Sequence, residues 1–160
     1  MNGTSDTRFS PYLSTTRAMI VTILWRLENE PVVNFAMTFA DVDENAWYGE
    51  AVRWATSSGI VTGYSAEAFG PDDNITREQL AAILYRYTQF KGIDVSAGEN
   101  TNILSYGDAL TISGYAFPAM QWACGAGLMQ GADGKLLPDV QATRAQVAAI
   151  LHRFCENILK

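Results

Sequence analysis

One local pattern opens three helical stretches of this chain: a proline, then an arginine six positions later with a threonine just before it. The instances are Pro11 with Thr16-Arg17, Pro71 with Thr76-Arg77, and Pro138 with Thr143-Arg144, placing the arginines 60 and 67 residues apart. Recurrence at such intervals restricts the fold to copies of one supersecondary unit, each too small to bury its apolar face alone. The arginine is the unexpected member. It falls in the first helical turn, where the positive end of the helix dipole disfavours a cation. Placed there three times, it asks for a partner, either an anionic ligand or backbone carbonyls of a neighbouring repeat.

Aligned on that step, the second unit is the most complete, from about Phe39 to Gly92. Phe39-Ala40-Asp41-Val42 leads into a helix at Trp47-Tyr48, with Ala51, Val52, Trp54 and Ala55 on one face. Gly59 stops that helix as a C-cap residue, and Ile60-Val61-Thr62-Gly63 forms a short extended turn. A loop through Phe69-Gly70-Pro71 reaches a second helix at Thr76, whose apolar stripe is Ile75, Leu80, Ile83, Leu84 and Tyr87. The third unit follows, with Trp122-Ala123 on Trp54-Ala55 and Gly127 to Gly131 on Gly59 to Gly63. Pro118 is tolerable only near a helix start, which places that start close to Tyr115. The first unit aligns from Met1 on Val61, so its first helix is expected upstream of the chain. An uncovered apolar surface on the first repeat is then expected as well. The resulting division is a truncated repeat at 1–34 and full repeats at 35–98 and 99–160, together one compact domain.

Thr76 with Gln79, and Thr143 with Gln146, carry the spacing of a capping box, in which side chain and backbone exchange bonds. Thr16 has Met19 at that place and keeps half the box. Threonine and glutamine thus have a structural explanation, while the arginine, beside free N–H groups of a helix start, suits a carboxylate or phosphate. The competing reading is an arginine that lies over the preceding repeat and bonds its carbonyls.

The string Phe39-Ala40-Asp41-Val42, Trp47-Tyr48, Ala51-Val52, Gly59 to Gly63, Phe69-Gly70-Pro71 and Ile75 to Leu80 resembles the S-layer homology motif. The resemblance covers nearly the whole chain. It implies an all-α fold of three helix-loop-helix repeats in a pseudo-threefold spindle, here with the first repeat lacking its first helix. It further implies a non-catalytic anchor that holds exported proteins to the bacterial cell wall. The implied partner is a secondary cell-wall polysaccharide, often pyruvylated, whose ketal carboxylate would meet Arg17, Arg77 and Arg144. Asp41 would sit in the turn before the first helix or line a groove, the aromatic Trp47 would face that groove or pack in the core, and the backbone would approach closely at Gly63 and Gly131. The family's Thr-Arg-Ala-Glu motif is imperfect here, since no copy has glutamate in the fourth place. An extracellular, wall-bound location follows, although Met1 to Asp6 is polar and is no signal peptide.

The remaining constellations are weaker. A net charge of −6 without a basic tract argues against nucleic acid. No apolar run is long enough for membrane insertion. Asp41 to Asn45 mimics the start of a calcium loop, but Ala46 and Val52 replace its glycine and glutamate. One histidine, His152, and no Cys-x-x-Cys spacing leave no metal or cofactor site. Cys124 and Cys155 read as small buried apolar residues, with a helix-to-helix disulfide as the alternative. Trp54 and Trp122 read as core. No paired carboxylates recur in a setting for catalysis, so the chain is read as no enzyme. The rival function is a protein-interaction module of a bacterial surface protein, self-associating through the incomplete first repeat.

Overall fold

The computed structural model describes residues 1–160 and is all-α, with isolated β-bridges in place of strands. The helices are α1 (Arg17–Leu27), α2 (Gly49–Ser57), α3 (Arg77–Phe90), α4 (Phe117–Gly125) and α5 (Arg144–Asn157). Single 3-10 turns lie at Ser96–Gly98 and Ala109–Thr111. The chain forms two compact units, Thr15–Asn74 and Met1–Ser14 with Ile75–Lys160.

In the unit Thr15–Asn74, α1 packs against α2. Ala18, Ile20, Val21 and Leu24 of α1 are fully buried, as are Ala51, Val52 and Ala55 of α2. Burying a leucine or isoleucine contributes about 1.5–3 kcal/mol. The apolar surface expected to lie uncovered on the first repeat is therefore not the buried face of α1; the exposed apolar residues there include Tyr12, Leu13, Leu27 and Val32. The second helix of that expectation also starts later than Trp47: Tyr48 is the N-cap residue and Gly49 the first helical one. A Cβ on Gly49 would collide with the Glu44 carbonyl, because the Asp43–Gly49 turn folds back on itself. Gly59 takes the left-handed conformation, φ +69°, and lets Ile60 N–H bond the Ala55 carbonyl at 2.9 Å. Gly127 repeats the device after α4, with φ +71° and Leu128 N–H on Ala123 at 2.8 Å.

In the other unit, α3 packs on α4, and the core gathers Tyr87, Trp122 and Phe154. The ring of Phe154 lies 5.9 Å from Tyr87 and 6.4 Å from Trp122 between centroids. Pro118 occupies the first turn of α4, where a missing N–H costs nothing, so that helix begins at Phe117 rather than at Tyr115. Trp54 and Trp122 are core, as their spacing predicts. Both cysteines are free thiols, as the leading expectation had them, but neither is buried: Cys124 is half-buried and Cys155 exposed. Burial raises the Cys124 pKa, opposed by the Arg77 cation.

Candidate functional site

Each repeated threonine sits in extended backbone ahead of its helix, and its hydroxyl accepts the N–H of the residue three places on at 3.3 Å. Gln79 and Gln146 return the bond to Thr76 and Thr143 at 3.2 and 3.0 Å, so both capping boxes form. At Thr16 only the hydroxyl half is made, because Met19 has no oxygen to offer.

The next two N–H groups of each helix are not free. Arg17 and Ala18 donate to the carbonyls of Asp73 and Pro71, at 2.9 and 3.0 Å. Arg77 and Glu78 donate to Val140 and Pro138, and Arg144 and Ala145 to Leu13 and Pro11. The repeated proline therefore supplies a carbonyl to the helix start of another repeat. The expectation of an open helix end for an anion is corrected: these orphan donors are already satisfied.

The guanidinium groups obey the same rule. Arg17 donates from Nε to the Phe69 carbonyl at 2.9 Å and from Nη2 to Thr62 at 3.3 Å. Arg77 donates to Leu136 at 2.8 Å and Gln130 at 3.0 Å. Arg144 donates to Phe9 at 2.9 Å and Asn2 at 2.5 Å. Each arginine thus bonds the loop leading to the next threonine in the chain, and Arg144 bonds the first such loop. Carbonyl binding is real, but Arg17 and Arg77 reach the following repeat rather than the preceding one, and Arg144 reaches the first.

Two aspartates complete this frame. Asp41 accepts the N–H groups of Phe69 and Gly70 at 2.8 and 2.7 Å, and Asp108 accepts those of Leu136 and Leu137 at 2.8 Å each. The peptide between residues 69 and 70 therefore has a carboxylate on its N–H and a guanidinium on its carbonyl. Residues 136 and 137 share the same arrangement. The two charges polarise one peptide unit from opposite ends, and such charge-assisted bonds are roughly twice as strong as neutral ones. Burial raises the Asp108 pKa, but the N–H bonds of Leu136 and Leu137, aided by Lys135, outweigh it and leave a net lowering. Asp41 thus clamps its own loop.

What differs among the arginines is their cover. The Arg17 guanidinium lies over the Tyr64 ring at 4.5 Å and the Phe69 ring at 4.8 Å, and the residue is 5% exposed. Arg144 lies over Phe9 at 4.9 Å and is 6% exposed. In the loop that receives Arg77, the places of Tyr64 and Phe69 are taken by Ala132 and Leu136. Arg77 stays half-buried and lines an open cleft of about 210 Å³ with Gln130, Gln146, Arg153 and the apolar Leu128, Met129, Ala149 and Ile150. No carboxylate lines it. Burial lowers the Arg77 pKa, with Asp108 among the groups opposing that, but a guanidinium stays charged.

The other sequence-predicted residues fall elsewhere. Trp47 is 57% exposed and stands edge-on to Tyr48 at 5.1 Å, while the rings over Arg17 are Tyr64 and Phe69. A Cβ on Gly63 would strike the Ala68 and Ser65 carbonyls and the Phe39 ring, and one on Gly131 would strike Tyr106. The close approach at these glycines is made by the protein itself. Asp43 and Glu44 of the calcium-like string cap Asn45 N–H and pair with Arg53. Glu78 accepts from Ser113 N–H, Ser113 Oγ and the Tyr115 hydroxyl, which ties the α3 start to the approach of α4. Arg153 was missed by the spacing of the helix starts. Its signal was a second arginine nine residues after the first in every repeat, at Arg26, Arg86 and Arg153.

These repeats are recognisable beyond this chain. The S-layer homology domain model matches residues 38–81 and 105–148, and the chain belongs to that family. An amylopullulanase of Thermoanaerobacterium thermosulfurigenes is 32% identical over 98% of the chain. The surface-layer 125 kDa protein of Lysinibacillus sphaericus is 30% identical over 99%, and a cellulosome-anchoring protein of Acetivibrio thermocellus 26% identical over 93%. The chain spans only 8%, 13% and 34% of those three proteins' lengths. No helix is long and apolar enough to cross a membrane.

Proposed function

We propose that this chain is a non-catalytic anchoring module that holds a larger exported protein to the bacterial cell wall. Its ligand is an anionic secondary wall polysaccharide, with a pyruvate ketal as the charged group. The observation that carries the reading is the cleft at Arg77, which joins a half-buried cation and amide side chains to an apolar floor without any carboxylate. A carboxylate there would gain charge-assisted bonds in a partly desolvated site, despite the net charge of −6, which salt screens beyond about 8 Å. Membership of the family supports the reading. So does the range of relatives, in which a stretch similar to this chain forms a minor part of an amylopullulanase, a surface-layer protein and a cellulosome-anchoring protein.

The test is binding to purified cell walls before and after chemical removal of the secondary polymer. Binding is expected to disappear with the polymer, and binding that survives its removal overturns the reading. Within it, Arg77→Ala should weaken binding by about 1.5–3 kcal/mol, the range for hydrogen bonds to a charged group. A second reading, an assembly module, is favoured by one observation: Tyr12 and Leu13 are 89% and 57% exposed on the first loop. It requires wall-independent self-association, visible by sedimentation.

A further inference from the structure

The three repeats do not offer three equal binding sites. Starting from the wall-polymer reading above, on which this step rests, we infer that the cleft at Arg77 is the site for the carboxylate. Arg153 is its second binding cation, and Ala132 and Leu136, neither of which carries an aromatic ring, are what keep it open.

The inference begins with helix geometry. Nine residues at 3.6 per turn are two and a half turns, so arginines nine apart point to opposite sides of one helix. On α5, Arg144 is used on one side, by the Phe9 and Asn2 carbonyls, and Arg153 reaches the cleft on the other. There Arg153 donates from Nη1 to the Leu128 carbonyl at 3.2 Å, which fixes its position at the wall. Arg77 is fixed by Leu136 and Gln130. Each guanidinium has five N–H groups, so both keep donors after these bonds. Two cations thus line one cleft with nothing anionic beside them.

Arg26 is the instructive contrast. It has Glu30 one turn on, at 3.8 Å, whereas Asn157 occupies the matching place after Arg153. The first-repeat arginine is neutralised within its own helix region, and Arg153 is left without that counter-charge.

The amides add direction. Gln146 spends its Oε1 on the Thr143 N–H, which turns its NH2 group outward as a donor. Leu128, Met129 and Ile150 are buried and form an apolar floor. The cleft, about 210 Å³, is of a size suited to a single sugar ring rather than a longer stretch of polymer. The ligand class is therefore one carboxylate-bearing sugar unit, with an apolar substituent facing the floor.

The selector is the residue after the loop glycine. Tyr64 follows Gly63 and lies over Arg17, while Ala132 follows Gly131 and leaves Arg77 bare on that side. An aromatic ring at position 132 would place the same cover on Arg77. Ala132 is exposed, and its N–H and carbonyl pair with Lys135, as Tyr64 N–H pairs with Ala68. The turn can carry a tyrosine.

The experiment uses the whole chain and an acidic polysaccharide fraction released from bacterial cell walls. The control is the same fraction with its carboxyl groups reduced to alcohols. Calorimetric titration is expected to show binding of the native fraction and none of the reduced one. Arg153→Gln and Ala132→Tyr should each weaken binding at least tenfold with the chain still folding cooperatively. Ala132→Tyr, at an exposed position, should leave thermal unfolding unchanged, and Arg153→Gln should lower it slightly through the lost Leu128 bond. Carboxyl-dependent binding that both variants retain in full overturns the placement of the carboxylate in this cleft and leaves the anchoring function standing. Absence of binding by the unaltered chain, or equal binding of both fractions, overturns the anionic-ligand reading and this inference with it.

Discussion

Arg17 and Arg77 begin their helices with the same bonds and end in different surroundings. Both follow a capping threonine, both donate from Nε and Nη2 to two carbonyls, and both share a polarised peptide with an aspartate. Yet Arg17 is covered by two rings and is 5% exposed, whereas Arg77 lines an open cleft. The shared part is scaffold, and the binding capacity lies in what the loop across from the arginine fails to cover. A charge in the first helical turn is stabilised here by carbonyls, so its presence alone marks architecture. Whether it also marks a site depends on residues 64 and 69 in one loop and 132 and 136 in the other.

The largest expected effect tests the scaffold half of that comparison. Arg17→Ala strips two carbonyls of their donor and leaves space under Tyr64 and Phe69. An unsatisfied buried group costs about 1–3 kcal/mol, so the loss of stability should be about 3 kcal/mol by chemical denaturation. Arg77→Ala should cost only about 1 kcal/mol, because water can reach its exposed Gln130 carbonyl. Equal stability losses for the two variants would erase the distinction between a pin and a binding residue.

The acid response sharpens the comparison at the clamp. The Asp108 pKa is lowered on folding by the N–H bonds of Leu136 and Leu137. Its stabilisation is therefore complete above the unfolded value near 3.9 and is lost as pH falls through the lower folded value. The protection of the Leu136 and Leu137 amides, relative to their intrinsic exchange at each pH, should hold down to about pH 4 and fall below it. In Asp108→Asn the same amides should exchange faster at neutral pH with that acid step gone. An unchanged acid step in the variant would assign it to another carboxylate.

What could be read from the chain followed the range of the interaction. The capping boxes at Thr76 and Thr143 and the glycine stops at Gly59 and Gly127 depend on residues within one turn, and they form where the spacing puts them. The arginine partners did not announce themselves, because they are backbone carbonyls 45 to 59 residues away for Arg17 and Arg77, and carbonyls carry no side-chain signature. Asp41 lies in the turn before α2, one of the two places expected for it, but its partners, the N–H groups at Phe69 and Gly70, were hidden for the same reason. Cys155 looked apolar by type, but it falls on the exposed side of α5. Arg153 is visible in the nine-residue recurrence, but nothing local to it marks a cleft. The change from Tyr64 to Ala132 was equally visible, yet its meaning required knowing that position 64 lies over an arginine.

The smallest expected effect is a gain. The first repeat has the hydroxyl half of a capping box, with Met19 N–H on Thr16, while Met19 itself is half-buried at the third helical position. In the other repeats a glutamine there accepts the threonine N–H at 3.2 and 3.0 Å, even though Thr76 and Thr143 also form β-bridges, as Thr16 does with Asn74. The local geometry of Thr16, φ −82° and ψ 162°, matches Thr76 at −85° and 163°. Met19→Gln should therefore complete the box and stabilise the chain by about 0.5 kcal/mol, the low end of cap energies. Wall-polymer affinity should not change, since the cap lies on the scaffold side of the comparison. A variant that binds better without melting higher would place part of the ligand at the α1 start, and the scaffold role assigned to Arg17 would fail there.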